Sequence, residues 1–227
     1  MVAAAMLLGA AGCPAEPGPP SDVDGGAAID AGHDGSIVGN AGLVFEWAAR
    51  PKPVGNAGDR LTIEEIRLPL RHVRAIGDAA PGDSRTSVPS LELRWRDGDS
   101  PNPLVFGMAP PGLYSRFEFR VQDDGDSSGY EMRGEVMLGE GSEAIEFRIK
   151  DTQALPVSLP LTGLELEVGA METVEVTVDV MAVLATVDWA NAQIDDDKIE
   201  LDEKSPEIVA IRAALASSFS ARLIATP

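Results

Sequence analysis

From residue 42 onward the chain is a succession of short runs in which apolar and polar residues alternate. The cleanest is Val174, Val176, Val178 and Val180, interleaved with Glu175, Thr177 and Asp179. A period of two places successive side chains on opposite faces of an extended backbone, the pattern of a half-buried strand. The period recurs in Leu91, Leu93 and Trp95, in Phe117, Phe119 and Val121, and in Ile145, Phe147 and Ile149. It is longest in Leu155, Val157, Leu159 and Leu161, and it restarts as Leu164, Leu166 and Val168 after Gly163. Met132, Val136 and Leu138 extend the set, with Gly134 interrupting their apolar face. Turn-forming residues separate the runs: Pro110-Pro111-Gly112, Asp123-Asp124-Gly125-Asp126, Gly139-Glu140-Gly141 and Gly169-Ala170. Many short strands at this spacing predict a mainly β protein, an antiparallel sandwich or barrel. No helical period separates the strands, which excludes a βαβ architecture.

One helix stands out, over about residues 206–219. Ser205 is placed as an N-cap, Pro206 fits a first helical position, and Glu207 faces the positive end of the dipole. Ile208, Ile211, Leu215 and Phe219 then fall on one face, and Ala221 to Ile224 reads as a last short strand.

The N-terminal text is of another kind. Ala3 to Gly12 is small and apolar, and it ends at Cys13, the single cysteine of the chain. The stretch is too short to span a bilayer, which takes about 20 residues. Ala11-Gly12-Cys13 resembles the end of a bacterial lipoprotein signal peptide, although no basic residue precedes Arg50 and Ala10 stands where that pattern favours Leu. The resemblance implies a signal peptide over 1–12, lipidation at Cys13, and a protein tethered to the membrane of the cell envelope. Pro14 rather than Asp after the cysteine implies the outer membrane. Residues 13–41, rich in Pro, Gly and Asp, read as a disordered linker with too little apolar surface to offset the entropy of ordering. Residues 42–227 then form the β-sandwich domain.

Within that domain, Pro110-Pro111-Gly112-Leu113-Tyr114 leads into the strand Phe117 to Val121, as a Pro-Gly-x-Tyr turn does in many envelope sandwiches. Together with the 155–161 and 174–180 runs, this is similar to a lipoprotein-associated domain family of unknown function. The resemblance covers roughly residues 61–190 and implies an immunoglobulin-like or prealbumin-like sandwich. It carries over no catalytic residue.

Charge narrows the function. Thirty-seven acidic residues against 18 basic ones leave a net charge of -19, a field that repels phosphate backbones and so disfavours nucleic acid; none is expected as a partner. With Cys13 lipidated, no thiol is left for disulfides, thiolate chemistry or soft-metal ligation. His33 falls in the linker. His72 continues the face of Ile66, Leu68 and Leu70 and is expected to point inward as a hydrogen-bonded core residue. No Gly-x-Ser-x-Gly elbow, P-loop or dinucleotide fingerprint occurs. The densest cluster of hard oxygens is Asp195, Asp196 and Asp197, with Glu200, Asp202 and Glu203 beyond it; this and the turn carrying Asp124 and Asp126 are the calcium candidates. Trp95 belongs to the core by its alternation; Trp47 and Trp189 are open as sugar contacts.

The expectation is therefore a non-enzymatic binding or structural module with no cofactor, its partner an envelope protein or a glycan. A calcium- or carbohydrate-binding adhesion module, using loops such as 96–103 and 122–129, is the alternative. A hydrolase with an unfamiliar site, built on an exposed His72 or an acid pair, is a second.

Overall fold

The computed structural model describes residues 41–51, 55–56, 60–78, 83–96, 98–122 and 129–224. Cys13, the signal peptide and nearly all of the expected linker lie outside them, as do Asp124 and Asp126. The alternating runs become strands: β1 (Ala41–Arg50), β2 (Gly55–Asn56), β3 (Leu61–Gly77), β4 (Ser87–Arg96), β5 (Leu104–Ala109) and β6 (Gly112–Val121). There follow β7 (Tyr130–Met137), β8 (Ala144–Asp151), β9 (Leu155–Leu166), β10 (Met171–Asp179), β11 (Lys198–Leu201) and β12 (Phe219–Ile224). The helices are α1 (Val180–Leu184) and α2 (Ile208–Ser217).

Two sheets result. The smaller has the order β12-β10-β1-β5, and the larger runs β11-β8-β7-β3-β6-β9, with β2 and β4 also paired to β3. Most neighbours are antiparallel, as expected; β1 with β10 and β8 with β11 are parallel. β3 is the spine of the larger sheet. Glu65 to Arg67 pair β7 on one edge and β4 on the other, while Leu70 to Gly77 pair β6 on the β7 edge.

The sheets meet through aromatic rings. Phe45 of β1 stacks on Phe117 of β6 with centroids 4.0 Å apart and planes 15° from parallel. Trp47 leans edge-on to Phe119 at 6.3 Å, and Phe219 meets Phe119 edge-on at 5.2 Å. Val174, Val176 and Val178 close the small sheet's inner face, opposite a β9 face made of Leu155, Val157, Leu159 and Leu161. Gly163, at φ 73°, lets β9 shift phase by one residue, so that Leu164 and Leu166 also turn inward. Val168 lies beyond the strand's end and is exposed. The Tyr114 hydroxyl donates to the Pro110 carbonyl at 2.7 Å, which locks the Pro-Gly-x-Tyr turn across its own base.

Three local expectations are corrected. The helix starts at Ile208 rather than 206, because the Ser205 hydroxyl accepts from the Asp202 amide at 2.9 Å and closes a backward turn instead of capping forward. At its other end Ser217 terminates α2, and Phe219 opens β12 with its ring in the core. Val180 does not extend β10. The Asp179 carboxylate accepts from the Ala182 amide at 3.1 Å, an N-cap that converts the end of the strand into α1.

His72 does not point inward. β3 bulges between Arg71 and Arg74, where His72 and Val73 stand against the single residue Phe119 of β6. His72 takes φ 52° there, in the left-handed region that side chains disfavour. The extra residue reverses the alternation: Leu70 and Val73 are both buried, and His72 is turned out to solvent. Bulges re-aim side chains in this way.

Candidate functional site

A largely apolar concavity lies between α1, the start of β3 and the end of β7. It has a volume of about 500 Å³ and is walled by Met137, Leu138, Met181, Leu184 and Trp189, with Arg60 at the rim. Each wall has a local cause. The Asp179 cap fixes α1, whose Val180, Val183 and Leu184 are buried against the sandwich and leave Met181 half-buried at the edge. The chain then returns so that Trp189 Nε1 donates to the Leu184 carbonyl at 3.2 Å, and its ring tilts onto Phe147 with centroids 5.0 Å apart. With its one donor used, Trp189 offers the groove an apolar face. The Met137 amide donates to the Arg60 carbonyl at 2.8 Å, which brings Arg60 to the mouth. The Arg60 guanidinium forms no ion pair among the described residues.

Sequence reasoning missed this groove. Its residues come from three distant stretches, and the only local hint was Trp189, left unassigned. Trp47 and Trp95 are 7% and 2% exposed, so neither presents a ring to solvent. No pair of tryptophans forms a sugar platform.

The acidic run near residue 195 has a structural explanation. Asp195 and Lys198 exchange backbone hydrogen bonds of 2.9 and 3.0 Å around Asp196 and Asp197, whose φ values are 47° and 62°. That is a two-residue reverse turn with both central residues left-handed, a conformation Asp tolerates. The acids beyond it go separate ways. Glu200 pairs with Lys150 at 3.7 Å, Glu203 accepts from the Thr152 hydroxyl, and Asp202 accepts from the Lys204 amide. Among the described residues no group of three or more His, Cys, Asp or Glu is gathered as an ion cage.

Several carboxylates are displaced from their ordinary titration, and all of them downward. The Arg85 side chain holds Asp83 low. Burial pushes Glu131 up, but hydrogen bonds from Arg133 and Arg148 outweigh it. Asp151 is raised by burial and drawn below its usual range by Arg212, with help from the Gln153 amide. Arg222 lowers Glu175. Each is a charged acceptor satisfied by arginine, the opposite of a carboxyl kept protonated to act as a general acid.

Another concavity, about 430 Å³, surrounds His72 on the outer face of the larger sheet. Ser158 also lines it, but no hydrogen bond joins the two among the described residues, so no nucleophile and base are paired there.

Fold and grooves together define a two-sheet, mainly β protein with a small apolar cleft. No model of a known protein family matches the chain, and no curated protein does. Among solved structures it is similar to MbnP from Methylosinus trichosporium, at 12% identity over 82% of this chain and 98% of that one, with a TM-score of 0.48.

Proposed function

We propose that the chain is a non-enzymatic binding module, carried on the cell envelope through lipid at Cys13, and that its ligand lies in the groove under α1. The groove carries this reading. Its volume falls within the roughly 300–1,000 Å³ typical of small-molecule sites, and its walls are apolar with one charged group at the mouth. Two methionines give it adaptable sides. A guanidinium with no ion pair among the described residues, set above apolar walls, matches an amphiphile with an acidic head, such as a medium-chain fatty acid.

Tryptophan fluorescence tests it. Decanoate should quench Trp189 while the buried Trp47 and Trp95 are left unchanged, and Trp189→Phe should remove the signal. Arg60→Gln should weaken decanoate and leave decanol unaffected. Decanoate that fails to bind, or binds equally to both variants and wild type, rules the site out. The anchor is tested separately, by mass spectrometry of the membrane fraction for an acylated Cys13.

A further inference from the structure

The bulge at His72 has an unexpected consequence for charge on the outer face of the larger sheet. In regular alternation only Arg71 of the triplet Leu70-Arg71-His72 would face outward. The extra residue adds His72 to that face, and Arg74 follows one residue after Val73. Across the ladder, Arg71 is directly opposite Arg120 of β6. Like charges in that relation destabilise a sheet. Arg74 is engaged: it donates to Glu118 from Nε at 3.1 Å and Nη2 at 2.8 Å, and Arg116 reaches the other Glu118 oxygen at 3.1 Å. Glu118 is thus neutralised by two arginines, and Arg120 forms no ion pair among the described residues. The concavity they surround is lined along Phe119 and Val157 and walled by His72, Arg74, Arg120 and Ser158, with the arginine-paired Glu118 also on its wall.

A chain of net charge -19 has here gathered arginines, and beside them it holds His72 in a disfavoured backbone conformation. An observed strain of this kind points toward function.

We infer that this concavity is an anion site that takes the phosphate group of a small soluble phosphoester, with Arg120, His72 and the Ser158 hydroxyl as its donors. The three donors come from three strands, so they approach from different sides and can serve more oxygens than a carboxylate has. Arg120 supplies the planar fork that phosphate accepts in two bonds. The occupant is a soluble ester rather than a bilayer headgroup, because the strongly negative body of the protein is repelled by an anionic membrane surface. The site stands apart from the groove under α1 and does not depend on it.

Isothermal titration calorimetry on the full chain tests the assignment, with inorganic phosphate, glucose 6-phosphate and vesicles of phosphatidylglycerol as probes. The sugar phosphate should bind more tightly than inorganic phosphate, and the vesicles should not bind. Arg120→Gln should weaken the sugar phosphate by about tenfold or more, the scale of a lost charged hydrogen-bond pair. His72→Gly should weaken it several-fold while leaving Tm unchanged or raised, since glycine takes a positive φ without strain. Binding that survives both variants overturns the site, as does binding to vesicles alone. A His72→Gly protein that melts well below the parent also overturns it, because His72 would then be held by the fold and not by a ligand.

Discussion

Arg212, on α2, reaches the end of β8 and donates two hydrogen bonds to Asp151, from Nε at 2.6 Å and Nη2 at 2.7 Å. Asp151 is 1% exposed, and this fork fastens the helix to the larger sheet. Removing one partner of a buried pair strands the other charge, at a cost of about 3–5 kcal/mol. Arg212→Met should lower the urea midpoint accordingly. The double variant Arg212→Met with Asp151→Asn should recover much of the loss, because no unpaired carboxylate is left. A single variant as stable as the parent refutes a fastening role.

Acid should weaken the fold through the same groups. Asp151, Glu131 and Glu175 titrate below their ordinary values in the folded chain. A lowered folded pKa contributes stability that is complete above the unfolded value, near about 4, and is lost as pH falls through the folded value. The denaturant midpoint should be level above about pH 5 and drop steeply below about pH 4. A level profile down to pH 3 contradicts these ion pairs.

Gly134 of β7 has no room for a side chain. A Cβ there would meet the Thr62 carbonyl oxygen at 2.0 Å and the Phe147 ring at 2.9 Å. Gly134→Ala should therefore cost about 1–3 kcal/mol through overpacking, seen as a lower Tm in calorimetry. An unshifted Tm means that β3 and β7 are farther apart than described.

The stack of Phe45 on Phe117 joins the sheets at 4.0 Å. Phe45→Ala should cost about 3–5 kcal/mol, the range for large aromatic truncations in cores. Leu104→Ala, at the start of β5 and nearer the surface, should cost less. Equal losses would argue against the stack as the centre of the interface.

The strands were legible in the sequence because one buried face writes its period directly into the residues, as in Leu155 to Leu161. The bulges were not. Whether His72 points in or out depends on how β3 aligns with β6, a partner more than forty positions along, and nothing in the local alternation marks the slip. Nor was α1 legible, since Val180 completes the valine period and only the Asp179 cap diverts the chain. The α2 start failed for a related reason: Ser205 could cap in either direction, and its bond to Asp202 decided between them. Both concavities consist of residues brought together by pairing between distant strands, so no motif could announce them.

The smaller sheet draws its strands from both ends of the described chain, for β1 lies parallel to β10 and β12 completes the other side of β10. The sheet is therefore completed only late in synthesis. Of these strands 41–50 is made first; β5 can cover one of its edges early, but the other must wait until residues 171–179 arrive, and the layer closes only with 219–224. Closing so long a loop is slow. A nascent polypeptide halted before β12 would keep one flank of β10 open and leave the Phe119 ring without Phe219, a state prone to sticking to its own copies.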